Sequence, residues 1–102
     1  MEKIKSDGLE KGLRSHEYVI LDFSSPGCAP CKRVPPLIEA VVAEAEDVDV
    51  GVFEVDVVES PEIAQQYFVL GVPTLIVFRS GTEVRRFNAV PSKDKILETL
   101  GG

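Results

Sequence analysis

The run Tyr18-Val19-Ile20-Leu21-Asp22-Phe23 is apolar at five of six positions and shows no alternation. A strand with one wet face reads apolar, polar, apolar, so this run predicts a strand buried on both faces, inside a sheet that helices cover above and below. Val50 to Val55 reads as a second buried strand and Thr74-Leu75-Ile76-Val77-Phe78 as a third. Between and around them lie helical patterns. Ser6 to Ser15 places Leu9 and Leu13 on one face, and from Cys28 to about Glu46 the residues Val34, Leu37, Ile38, Val41, Val42 and Ala45 recur at spacings of three and four. Pro35 and Pro36 fall inside that helix, which predicts a kink. Ser60 to Phe68 predicts a short helix with Ser60 as N-cap and Pro61 in its first turn. Arg79-Ser80-Gly81-Thr82 has the look of a hairpin into a fourth strand, Glu83 to Phe87, and Ser92 caps a last helix carrying Ile96, Leu97 and Leu100. Residues 2–5 are expected to add an edge strand. The order implies an α/β fold: a central mixed sheet of four to five strands, helices on both faces, right-handed parallel crossovers, and a single domain over residues 1–102.

Composition narrows the class. With 102 residues and 44% hydrophobic content the chain can fill one core, which excludes a disordered chain. Two cysteines three positions apart exclude a disulfide-dense scaffold. The net charge of −6 is uneven, for residues 36–62 hold nine acids and no Lys or Arg. Such a surface lacks the cations that phosphate or anionic lipid requires, so neither nucleic acid nor a membrane is an expected partner. The acidic segment reads as a solvated face, with preference for a basic partner as the sharper alternative. Met1-Glu2-Lys3-Ile4-Lys5-Ser6-Asp7 runs into mixed charge where a signal peptide needs an apolar stretch, and Gly71 to Phe78 is too short to span a bilayer. A cytoplasmic protein is therefore expected, and cysteines in a reducing compartment are normally catalytic or metal-binding.

Cys28-Ala29-Pro30-Cys31 stands where the first buried strand gives way to a helix. A thiol at a helix N-terminus meets unpaired N–H groups and the positive end of the helix dipole, which favour thiolate. Two intervening residues bring the second sulfur within disulfide reach of the first. Cys28, the outer thiol, is the expected nucleophile, and Cys31 the resolving thiol that closes on a mixed disulfide. Half of a zinc site and an inert surface pair are the rival readings. Zinc normally takes four protein ligands, and this chain offers Cys28, Cys31 and His16 at most, so such a site needs a dimer.

The stretch Leu21-Asp22-Phe23-Ser24-Ser25-Pro26-Gly27-Cys28-Ala29-Pro30-Cys31-Lys32, with Pro36, Gly71-Val72-Pro73-Thr74 and the hairpin glycine Gly81, resembles the thioredoxin family over essentially the whole chain. The resemblance implies the thioredoxin fold and a cytoplasmic, monomeric protein-disulfide reductase. Its redox centre is then the Cys28–Cys31 couple itself, with no bound cofactor and no metal, and its partners are disulfide-containing client proteins and a thioredoxin reductase as electron donor. Asp22 is an acid in an apolar strand, where burial raises its pKa. It falls where the family keeps a buried acid thought to shuttle a proton to or from the inner cysteine; capping of a local backbone donor is the alternative role. By the same resemblance the bond before Pro73 is cis, leaving the Val72 backbone to pair with an extended substrate. Gly27, Ala29, Pro30, Val72, Pro73 and Ala89 are the implied substrate-docking residues. Lys32 and Arg33 can lower the thiolate pKa by their charge, or serve simply as solvated helix residues.

Three positions depart from the family pattern. Gly27 replaces an aromatic, most often Trp, before the first cysteine; Ser24 replaces a second aromatic; and Val52 stands where a lysine commonly neighbours the buried acid. Cys28 is thus expected to be more exposed and the Pro26-Gly27 loop more mobile, with less apolar area for docking. Asp22, lacking that cation, is expected to titrate higher than in the usual pattern. Three functions compete: a thiol–disulfide oxidoreductase, a thioredoxin-like redox-sensing or interaction module, and a zinc-binding dimer.

Overall fold

Tyr18–Ser24 forms a seven-residue strand in which every residue is buried, as a strand covered on both faces must be. In a computed structural model, which describes residues 1–101, it is the centre of a five-stranded sheet. In chain order the elements are β1 (Glu2–Lys3), α1 (Ser6–Leu13), β2 (Tyr18–Ser24), a 3-10 helical turn (Pro30–Arg33), α2 (Val34–Glu44), β3 (Val50–Asp56), α3 (Pro61–Gln66), β4 (Thr74–Arg79), β5 (Thr82–Phe87) and α4 (Lys93–Gly101). The strands lie in the order β1-β3-β2-β4-β5. β1 and β2 run parallel to β3, whereas β4 runs antiparallel to β2 and to β5. The predicted mixed sheet is therefore present, with residues 2 and 3 as its edge strand.

Strand parity divides the core. Val19, Leu21 and Phe23 pack with Ile76 and Phe78 against Leu9, Leu13, Ile63 and Ala64 of α1 and α3. Tyr18 and Ile20 pack with Leu75 and Val77 against Val34, Ile38 and Val41 of α2 and Ile96 and Leu100 of α4. Each fully buried aliphatic side chain is worth about 1.5–3 kcal/mol against exposure, so the two faces hold the helices in place.

Local structure corrects three expectations. Pro35 and Pro36 do not kink a helix interior; they lie in the first turn of α2, where missing N–H groups leave no helical acceptor short of a donor. The helix expected from Cys28 is split into the 3-10 turn and α2. α3 ends at Gln66, earlier than Phe68, because Phe68 takes a left-handed φ of 54°. The Val69 N–H then donates to the Ala64 carbonyl at 2.8 Å and the Phe68 N–H to that of Gln65 at 3.2 Å, closing the helix end. Ser60 holds the N-cap position of α3 without a side-chain capping bond, whereas Ser92 Oγ accepts from the Lys95 N–H at 3.3 Å and does cap α4. The β4–β5 hairpin turns through Ser80 and Gly81 at φ 51° and 81°, the paired positive values that a two-residue primed turn needs.

Candidate active site

β2 delivers the chain to the cysteines. After Ser24 the backbone turns through Ser25-Pro26-Gly27, and the Cys28 N–H donates to the Ser25 carbonyl at 3.2 Å. Ala29 is already helical (φ −63°, ψ −46°), with Pro30 in the first turn that follows. This tight turn brings the Cys28 and Cys31 Cα atoms to 5.3 Å, and the two residues are joined by a disulfide. The Cys31 N–H points back at Cys28 Sγ, 3.2 Å away. Cys31 is only 5% exposed, while Cys28 is half-buried and flanked by exposed Gly27, Ala29 and Pro30. The outer sulfur is thus open to attack and the inner one shielded. Lys32 and Arg33 are exposed.

Register collects the other expected residues at the same end of the sheet. Phe23, near the end of β2, pairs with Thr74 at the start of β4, and Leu75 pairs with Phe87 at the end of β5. The cysteine loop, the Val72–Pro73 segment and Asn88-Ala89 consequently leave one edge together. The Val72–Pro73 bond is cis, as the resemblance implied. Pro73 is buried, Val72 half-buried and outside the strand ladder, and Ala89 exposed. Thr74 Oγ1 donates to the Gly71 carbonyl at 2.7 Å and ties the loop to its strand. His16 lies before the opposite end of β2, about 20 Å away along a seven-residue strand. Among the described residues no group of three or more His, Cys, Asp or Glu stands together, and no helix is long and apolar enough to cross a membrane.

Asp22 is 1% exposed, and neither of its carboxylate oxygens has a hydrogen-bond partner among the described residues. The capping alternative therefore fails for Asp22. Asp56 does that work instead: its Oδ1 accepts from the N–H groups of Val58 at 2.9 Å and Glu59 at 3.2 Å. Burial, and then the charge of Glu54, push the Asp22 carboxyl up from 3.8 to about 7. Asp22 lies on the sheet face that α2 covers, and Cys31 is in the turn that opens into α2. Val52 packs in the apolar cluster of that face but pairs with Ile20; the residue beside Asp22 on β3 is Glu54, so the cation position expected at Val52 falls instead on an acid.

Glu54 was missed in the sequence. It is the register partner of Asp22 on β3 and accepts a hydrogen bond from Ser24 Oγ at 2.9 Å. The usable signal was an acid within the apolar run Val50 to Val55, in phase with Val50 and Val52 on the face that Asp22 shares.

Comparison with known proteins agrees with this geometry. The thioredoxin family model matches residues 1–101. A thioredoxin of Chlamydia trachomatis serovar D is 37% identical over 95 residues, covering 93% of this chain and 86% of that protein. A thioredoxin of Mycobacterium tuberculosis H37Rv is 36% identical over 88 residues, covering 86% and 75%. The solved structure of a single-residue mutant of a thioredoxin from Halobacterium salinarum superposes with a TM-score of 0.85 at 28% identity, covering 98% of this chain and 86% of that one. With a disulfide-linked Cys-x-x-Cys at the exposed end of this sheet and a family match over nearly its full length, the chain belongs to the thioredoxin family of thiol–disulfide oxidoreductases.

Proposed function

We propose that the protein reduces disulfides of client proteins, with Cys28 as nucleophile, Cys31 as resolving thiol and Asp22 as the proton relay of Cys31. In the dithiol form, Cys28 thiolate attacks one sulfur of the client disulfide. A Cys28–client disulfide forms, and the other client sulfur leaves as a thiolate that takes a proton from water. Cys31 then gives its proton to Asp22 and attacks Cys28 Sγ. The Cys28–Cys31 disulfide forms and the second client sulfur leaves, so the client gains the two electrons that the protein loses. Gly27, Ala29, Pro30, Val72, Pro73 and Ala89 supply the docking surface, where a client segment extends along the Val72 backbone.

The observation that carries this reading is the unequal burial of the two bonded cysteines, together with a buried carboxyl that has no hydrogen-bond partner among the described residues on the sheet face that α2 covers. A thioredoxin reductase returns the electrons; a bifunctional thioredoxin reductase/thioredoxin of Mycobacterium leprae, 34% identical to this chain over 88 residues, joins both names in one protein. The protein works as a cytoplasmic monomer. Reduced protein should cleave the interchain disulfides of insulin. Cys28→Ser abolishes turnover, and Cys31→Ser accumulates a mixed disulfide visible by mass. No insulin cleavage by fully reduced wild type would overturn the proposal.

A further inference from the structure

Ser24, which departs from the family pattern, meets an acid from the neighbouring strand on the face that hides Asp22. It stands two residues after Asp22 on β2, so both side chains share a face, and that acid, Glu54, is the register partner of Asp22 on β3. The Ser24 hydroxyl donates to Glu54 Oε2 at 2.9 Å and fixes that carboxylate beside the strand that carries Asp22. Asp22 itself has no hydrogen-bond partner for either oxygen among the described residues. Its ionised form thus lacks both a donor and a nearby cation, while facing a second acid.

The other groups around Asp22 do not cancel that effect. On the face that Asp22 shares, β4 contributes its register partner Leu75, and α2 contributes Val34 and Ile38, none of them charged. α4 contributes Ile96 and Leu100. The 3-10 turn contributes Cys31, with Lys32 and Arg33 exposed beyond it. On β1, Lys3 is the register partner of Glu54 and attracts it, but its ammonium lies closer to other acids, 3.2 Å from Glu59 and 3.7 Å from Asp56, and Glu54 is the weakest of its three charge partners.

We propose that Glu54, held in place by Ser24, is a positioning residue for the reaction: its charge adds to the effect of burial and so helps make Asp22 a strong enough base to take the proton of Cys31. This rests on the relay reading above. An ordinary carboxylate is far too weak a base for a thiol of ordinary pKa about 8.5, and most of a proton transfer to it would be uphill. At about 7, Asp22 faces a much smaller gap. Glu54 touches neither sulfur nor client in this scheme and acts only through Asp22.

The test uses the whole chain with 13C-labelled aspartate and follows the Asp22 carboxyl signal against pH. In Glu54→Gln, which keeps an acceptor for Ser24 and removes the charge, the Asp22 midpoint should fall by about one pH unit, a tenfold loss of proton affinity. The pH profile for client release from a preformed Cys28 mixed disulfide should move by the same amount, with the initial Cys28 attack unchanged. Glu54→Asp, which keeps the charge, should hold the midpoint near wild type. Glu54→Met serves as the neutral variant if the amide fails to fold. An Asp22 midpoint unmoved by loss of charge, or moved equally by Glu54→Asp, overturns the inference whatever happens to thermal stability. Unchanged client release in Asp22→Asn would instead overturn the relay reading, and with it the catalytic meaning of a coupling that the titration still registers.

Discussion

The backbone N–H of Cys31 donates to the sulfur of Cys28 at 3.2 Å, so the inner cysteine supports the outer one through its main chain. That N–H lies at the start of a helical turn, where unpaired donors and the helix dipole favour a thiolate. Cys28 should therefore be alkylated by iodoacetamide with a midpoint below the ordinary thiol value of about 8.5. Cys31, 5% exposed, should react far more slowly. Because the donor is main chain, Cys31→Ser should keep the low midpoint. Equal alkylation of both thiols at pH 7 would refute this account of the pair.

Asp22 makes a pH signature in stability. Its carboxyl holds a proton up to about 7 in the folded protein, against 3.8 for an ordinary aspartate. Between those values the folded state binds a proton that the unfolded chain has released, so stability falls as pH rises through this window and levels off above it. The full loss is about 4 kcal/mol. Asp22→Asn lacks this ionisation, so in urea melts it should match or trail wild type near pH 4 and gain on it steadily toward pH 8. Parallel stability curves across that range would show that burial does not perturb Asp22 in solution.

Val52 lies two residues before Glu54 on β3, on the sheet face that Asp22 shares. It is half-buried, pairs in register with Ile20, and lines a cleft of about 590 Å³ with Pro35, Ile38 and Glu39. Val52→Lys can extend its stem through that cleft and bring an ammonium toward the buried face. The Asp22 midpoint should then drop below about 7, while stability falls by about 1 kcal/mol from lost packing. A carboxyl titration unchanged by the lysine would count against this placement.

Phe68 occupies the left-handed position that closes α3, at φ 54°, and the residue is 80% exposed. That conformation costs a residue with a Cβ about 1–2 kcal/mol, and glycine avoids it while loosening the unfolded chain. Little packing is lost at so exposed a ring. Phe68→Gly should therefore raise stability by up to about 1 kcal/mol in urea unfolding. A loss of more than that would mean that the ring packs in solution.

The sequence determined the architecture because its signals are local and redundant. The unalternating run at Tyr18–Phe23 demands helices on both faces, and the spacing of Val34, Ile38 and Val41 supplies one of them. The cysteine pair and its place after the first buried strand were equally plain, since a three-residue separation is fixed by the chain itself. Helix ends were less legible: Pro35 and Pro36 looked interior until the preceding turn proved to be 3-10, which moved them to the start of α2. What only the tertiary structure decided is pairing across strands. Asp22 and Glu54 lie 32 positions apart, and nothing along the chain states that parallel register sets one beside the other. Nor does the sequence reveal that Ser24 reaches Glu54 rather than Asp22, leaving the buried carboxyl without a donor. Periodicity tells which face a side chain joins; the neighbours it meets there, and hence its charge state, depend on how distant strands align.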